Sequence, residues 1–152
     1  MIELTFARDL EAGNSVENIV LDMIKPKYPC AALINGYFPD YDIWIPEIHK
    51  SVEVKSDQKS QHTGNILIEV EMFDKPSALF HTKADYWVIF DGFDFLWTTP
   101  KKIFECIIFN KLQYAEFVGR GDIVSKKAFL IKKELLSQYL ISKGKFYEWK
   151  KI

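Results

Sequence analysis

The chain has 152 residues and a net charge of −1; hydrophobic residues make up 48% of it, with twelve Phe, seven Tyr and four Trp, enough apolar area for one folded domain, which excludes a disordered protein. No apolar run approaches the roughly 20 residues of a membrane span, and Glu3, Arg8, Asp9 and Glu11 stand where a signal peptide needs an apolar stretch, so the expectation is a cytoplasmic protein without a membrane partner. Cys30 and Cys106 lie in apolar stretches without metal-ligand spacing and read as buried thiols rather than a disulfide.

In chain order, Ser15 suits the cap of a helix that carries Val16, Ile19, Val20, Met23 and Ile24 along one apolar side and ends where Pro26 and Pro29 interrupt. Ala31 to Ile34 suits a short strand. Asp42-Ile43-Trp44-Ile45 and Ser51-Val52-Glu53-Val54-Lys55 read as two strands joined by the turn from Pro46 to Lys50, a β-hairpin with acids on both arms. The polar stretch from Ser56 to Gly64 reads as a loop. Asn65 to Met72 reads as a strand with Ile66, Ile68, Val70 and Met72 on one face and Glu69 and Glu71 on the other.

A loop with a short helix is expected from Asp74 to Lys83. Tyr86 to Phe90 has the near-continuous apolar character of a strand buried on both faces, and Asp91-Gly92 turns the chain into a further strand from Phe93 to Trp97. Thr99 as cap and Pro100 in the first turn start a helix to about Lys111, with Ile103, Phe104, Ile107 and Ile108 inward. A strand at Phe129 to Ile131 and a helix from Glu134 to about Ser142 complete the set. With no repeat or linker, the sum is a single α/β domain over residues 1–152, a mixed sheet flanked by helices.

Strand alternation sets Glu53 and Lys55 on the face opposite Val52 and Val54, so a carboxylate and an ammonium project together from an apolar segment. Asp42 opens the partner strand, and a tight hairpin brings it near Glu53. Two acids at close range repel unless a cation lies between them, and hard oxygen ligands of this kind suit Mg²⁺, with Mn²⁺ able to substitute. Such an ion polarises a phosphodiester and activates water, and Lys55 is placed to orient the nucleophile or stabilise developing charge. The bland alternative is a surface cross-strand ion pair worth about 0.2–1 kcal/mol.

The acid-any-Lys pattern recurs as Asp57-Gln58-Lys59 and Glu148-Trp149-Lys150, but Glu53-Val54-Lys55 alone sits in a strand of β-branched residues that follows an acid-bearing one. His49, His62 and His81 are scattered without zinc spacing and read as surface or loop residues. Neither a Gly-rich phosphate loop nor a Gly-x-Ser-x-Gly elbow is present, which sets aside nucleotide hydrolases of that type and acyl-transfer enzymes.

Pro39-Asp40 and Glu53-Val54-Lys55, in the order helix, acid-bearing strand, Glu-x-Lys strand, helix and strand, resemble the PD-(D/E)XK nuclease superfamily of restriction enzymes, recombination nucleases and archaeal-type Holliday-junction resolvases. The resemblance covers residues 13 to about 90, and its motifs are short. Gly64 to Glu69, Lys75-Pro76-Ser77 and Lys83 to Trp87 are also similar to small phage and mobile-element proteins assigned to that superfamily. The resemblance implies a restriction-endonuclease-like αβββαβ core with Asp42, Glu53 and Lys55 as catalytic residues. It further implies metal ligation by Asp42, Glu53 and the carbonyl of Val54, with Glu17, in the run Gly13-Asn14-Ser15-Val16-Glu17, as a further ligand.

Asp40 satisfies the literal Pro-Asp motif whereas Asp42 opens the strand that pairs with Glu53, and Asp42 is preferred. For Glu17 the alternative is an ordinary first-turn acid answering the helix dipole. Glu69 stays open between a ligand and a solvent-facing strand residue. Lys75 and Ser77, with Lys59 on a loop, are candidates for contact with DNA phosphates.

The implied function is an Mg²⁺-dependent DNA endonuclease hydrolysing phosphodiester bonds, and the small size favours branched or junction DNA over a long base sequence. Residues 126–152 hold eight Lys against Glu134 and Glu148, a net +6 beside −7 for the remainder, which suits a polyanion, although a solvated helix face gives the same count. Two other classes compete: a catalytically inactive nuclease-fold module of phage or mobile-element origin that binds DNA or protein, and a structural protein with an incidental ion pair. Symmetric cutting of a duplex or junction calls for a homodimer, for which the aromatic strand with Phe93, Phe95 and Trp97 is the expected surface.

Overall fold

In the computed structural model, which describes residues 16–34, 40–118 and 125–144, the apolar alternation of the chain resolves into two sheets, not one. Gly13, Asn14, Ser15, Pro39 and the basic end from residue 145 lie outside the described residues. A helix α1 over 16–24 is followed by β1 (Ala32–Leu33), β2 (Ile43–Ile45), β3 (Lys50–Ser56), the single turn α2 (Ser60–Thr63), β4 (Asn65–Met72) and β5 (Lys75–Pro76). Then come β6 (Tyr86–Phe90), β7 (Phe95–Thr98), α3 (Pro100–Phe109), β8 (Ala115–Val118), β9 (Ser125–Lys132), α4 (Lys133–Leu136) and β10 (Ser142–Lys143).

The larger sheet has the order β1-β2-β3-β6-β7-β10 and is mixed: β3 and β6 run parallel, and the other neighbours are antiparallel. The smaller is antiparallel throughout, in the order β5-β4-β9-β8. On one face of the larger sheet Val16, Val20 and Ile24 of α1, spaced by four, bury themselves against Ile43, Ile45, Val52 and Val88. On its other face Trp87, Ile89 and Leu96 meet Ile66, Ile68 and Val70 of β4 together with Ile103, Cys106 and Ile107 of α3. The mixed sheet is thus covered by a helix on one side and by a second sheet plus a helix on the other.

That second layer is where the expectation fails. Parallel strands need a crossover, and here the segment between β3 and β6 itself contains a strand, β4, whose apolar row requires partners. They come from β8, which was not expected, and from β9, which is longer than the three residues read as strand. Between Asp74 and Lys83 the chain forms the tight β4–β5 hairpin, with Phe73 and Asp74 both left-handed (φ 55° and 57°), and one 3₁₀ turn at Ala78–Phe80. The helix expected from Glu134 shortens to α4 and a 3₁₀ turn at Ser137–Tyr139, and Ser142–Lys143 becomes a strand.

Three further expectations are corrected. Ile19 and Ile108 are exposed, at 44% and 65%, because the buried arcs of their helices run through Val16, Val20 and Ile24 and through Ile103, Cys106 and Ile107. Cys30 is exposed, while Cys106 is a buried free thiol. The edge expected to carry a homodimer is taken: β7 is paired on both sides and Trp97 is buried, which leaves Phe93 as the ring that stands out in solvent there. Among the described residues, no helix is long and apolar enough to cross a membrane.

A local clamp sets the register of the parallel pair. Ser51, buried at the start of β3, donates its N–H (2.8 Å) and its Oγ–H (3.0 Å) to Asp85 Oδ2, and Asp85 N–H donates back to Ser51 Oγ (3.1 Å). Asp85→Ala leaves two donors of Ser51 without their acceptor, and the expected loss is about 1–3 kcal/mol in urea unfolding. An unchanged midpoint would mean that the clamp adds nothing to the β3–β6 pairing.

Candidate active site

The antiparallel register Ile43↔Val52 places Asp42 opposite Glu53 at the open end of β2. Three hydrogen bonds hold Asp42: its N–H donates to Val52 O (2.9 Å), its carbonyl accepts from Ile34 N–H (2.9 Å), and its Oδ2 accepts from Val54 N–H (2.7 Å). Glu17 reaches the same carboxylate from α1, within side-chain hydrogen-bonding range, as does Glu53 from β3. Lys55 Nζ lies 3.5 Å from Glu53 Oε1 and 5.4 Å from the centroid of the Trp87 ring. Asp42, Glu53, Lys55 and Glu17 are therefore neighbours, and Asp42 is the acid between Glu17 and Glu53. Val54 takes part through its N–H, which donates to Asp42 Oδ2.

Burial sets the electrostatics. The side chain of Glu53 is 16% exposed, and loss of solvation pushes its pKa up to about 7, against the pull of Lys55 and with the help of the Asp42 charge. Burial also raises Asp42, although the Val54 N–H and Lys55 favour its charged form. Glu17 is raised by burial and then by the charge of Asp42 and a hydrogen bond to it. The physical picture is one anion, Asp42, accepting from Val54 N–H while the acids on either side hold protons at pH values where carboxylates are ordinarily ionised.

Hard oxygen donors that keep protons to avoid mutual repulsion form a donor set that fits Mg²⁺ or Mn²⁺, since a divalent cation can take the place of those protons. The set is not a finished coordination shell: among the described residues no three Asp, Glu, His or Cys side chains are grouped to hold an ion.

Two cavities flank Lys55 and Trp87 where the sheets part. One of about 90 Å³ is bounded by Glu53, Lys55, Ala78, His81, Thr82 and Trp87. The other, of about 300 Å³, lies between Lys55, Asp57 and the strand residues Leu67, Glu69, Trp87 and Ile89. Glu69 faces this cleft from the second sheet and accepts from Ser77 Oγ (2.9 Å), so the Ser77 hydroxyl is already engaged. Lys59 and Lys75 are exposed and line neither cavity.

Sequence reasoning missed His81, Thr82, Ala78 and Trp87 as neighbours of the acids. His81 and Thr82 arrive through the 3₁₀ turn that begins at Ala78, whose φ of 42° is a costly value for a residue with a Cβ. Trp87 is the parallel-register partner of Glu53, so the signal existed once β3 and β6 were aligned. Comparison with protein-family models, with curated proteins and with solved structures gives no match.

The raised pKa of Glu53 carries a stability consequence whose sign is fixed. Between its ordinary 4.5 and about 7 the folded chain binds more protons than the unfolded one, so stability falls as pH rises through that window, by up to ~3 kcal/mol from this group alone. Glu53→Gln removes the penalty. In EDTA the variant should match the wild type near pH 4.5 and melt several degrees higher at pH 8; thermal unfolding at the two pH values checks it, and an equal difference at both would contradict the assigned shift.

Proposed function

We propose that the chain is a divalent-metal-dependent DNA endonuclease of the PD-(D/E)XK kind. The observation that carries this reading is the meeting of Glu17, Asp42 and Glu53 with Lys55 at the mouth of a cleft between two sheets. The order α1-β1-β2-β3 followed by a crossover to the parallel strand β6 is similar to the αβββαβ core expected of that superfamily, with a strand and a 3₁₀ turn in place of the crossover helix. An ion-pair ornament on a surface strand, the bland alternative, is disfavoured by the 16% exposure of Glu53 and by the second and third acids beside it.

In this reading Asp42, Glu53 and Glu17 would hold the ion, and Mg²⁺ when bound would supply charge neutralisation and an activated water. The phosphodiester occupies the 90 Å³ cavity, where Lys55, His81 and Thr82 turn positive or hydrogen-bonding groups toward its oxygens. Lys55, braced over the Trp87 ring, would stabilise the negative charge that grows as the water oxygen bonds to phosphorus, one ester P–O bond breaks and its oxygen leaves as the protonated hydroxyl of the cut strand. Selection of branched or junction DNA belongs to the same proposal.

Incubation with Mg²⁺ or Mn²⁺ against duplex, single-stranded, flap and four-way-junction DNA tests the reading. Asp42→Ala, Glu53→Ala and Lys55→Ala should each lower the rate by at least about 100-fold while folding normally, and Asp40→Ala should stay active. Glu17→Gln should weaken Mn²⁺ binding in calorimetry. Full activity in purified Glu53→Ala would sink the mechanism, and a wild type that neither binds Mn²⁺ nor cuts any of these DNAs would favour the inactive binding module.

A further inference from the structure

The larger cavity, about 300 Å³, has no part in the chemistry described above, yet it shares Lys55 and Trp87 with the smaller one. Most of its wall is apolar, with Trp87 and Ile89 from β6 and Leu67 and Ile68 from β4, while Lys55 and Ser56 line it at the end of β3. Two carboxylates stand among them. Asp57 Oδ2 accepts from Leu67 N–H (2.8 Å) and Glu69 Oε2 accepts from Ser77 Oγ (2.9 Å), so each carboxylate is held by one oxygen. Among the described residues, the other oxygen of each has no protein partner in a hydrogen bond. A cavity of this size lies at the small end of ligand pockets; it accommodates one flat heteroaromatic ring and not a base pair in its stack.

We infer that this cavity is a nucleobase subsite, which takes a single unpaired base adjoining the scissile phosphate. The inference rests on the nuclease reading for the position of that phosphate and deepens it by naming the substrate class: DNA with an unpaired or extruded nucleotide beside the cut. The chemistry of the lining also ranks the bases. A carboxylate only accepts hydrogen bonds, so it pairs with an edge that offers N–H donors and repels one that offers carbonyl oxygens. Guanine presents N1–H and the N2 amino group side by side, which suits one carboxylate accepting two bonds, as a carboxylate accepts from a guanidinium. Thymine flanks its one N–H with two carbonyls. The subsite prefers guanine and rejects thymine, and the energy needed to free the base from the stack confines activity to unpaired or easily extruded positions.

Deoxyguanosine and thymidine, which carry no phosphate and need no metal, are the probes for calorimetry on the full chain in EDTA. Deoxyguanosine should bind at least about tenfold more tightly than thymidine. Glu69→Gln should bring the two within about twofold of one another, and Leu67→Trp, which fills the cavity from a half-exposed strand position, should abolish both. Equal affinity for the two nucleosides in the wild type would overturn the inference, as would undiminished preference in Glu69→Gln, a variant that keeps size and fold.

A second arm separates this idea from the one beneath it. Selective nucleoside binding by a protein that cuts no DNA with Mn²⁺ would remove the nuclease reading and leave the base subsite. Mn²⁺-dependent cutting at equal rates beside unpaired guanine, unpaired thymine and fully paired positions would remove the subsite and leave the nuclease.

Discussion

The constraint on which the site depends is the repulsion between acids that the fold brings together out of water. Asp42 is held by Ile34, the residue after β1, and by β3 through its backbone and by Val54 N–H through its side chain, so it cannot swing away from Glu53, which the register sets opposite. Glu17 adds a third carboxyl from the helix. Without a cation the cluster relieves itself by keeping protons, and Lys55, at 40% exposure, offsets only part of the charge. Such an arrangement lowers the stability of the metal-free chain at neutral pH, and a fold under no functional demand would replace one of the acids by an amide at little loss.

The second sheet gives the cluster its setting. Glu53 and Lys55 project from the same side of β3 that carries Trp87 on β6, and that is the side β4 covers. Had the crossover been a helix packed flush on the sheet, the side chains would have had to reach past it. A twisted antiparallel sheet instead leaves a wedge, and the wedge is occupied by the two cavities that share Lys55 and Trp87. Trp87, almost wholly buried, is the floor of both and places the ammonium of Lys55 between them. Position along the cleft, more than any single bond, distinguishes Lys55 from the lysines on β9 and β5.

Much of this was legible in residues 16–56. The four-residue spacing of Val16, Val20 and Ile24 reports burial directly, since local period and buried face coincide there. The placement of Asp42, Glu53 and Lys55 followed from that hairpin, whose partners lie close in sequence. What was not legible depends on distant pairing. β4 reads as a strand by itself, but nothing local says that it leaves the first sheet for partners more than fifty residues away, at Ser125–Lys132. His81 shows no metal spacing and was read as a loop residue; only the crossover brings it to the cavity beside Glu53. The fate of Phe95 and Trp97 was hidden for the same reason, because the strand that covers their edge is two residues long and lies at Ser142–Lys143.

The turn at Ala78 joins these observations. Its left-handed backbone is one that a residue with a Cβ adopts only when its surroundings insist, and here they do so from both sides. Ser77 N–H donates to Val70 O and its hydroxyl to Glu69, anchoring the turn to the second sheet, while Trp87 Nε1 donates to Thr82 Oγ1 and anchors its far end to the first. The turn therefore bridges the two layers at the point where both cavities open, and it carries His81 between its anchors. In the proposed enzyme that bridge ties the spacing between Glu69 on one sheet and Lys55 on the other to a handful of hydrogen bonds. A change at Ser77 or Thr82 then alters the cleft without replacing an acid.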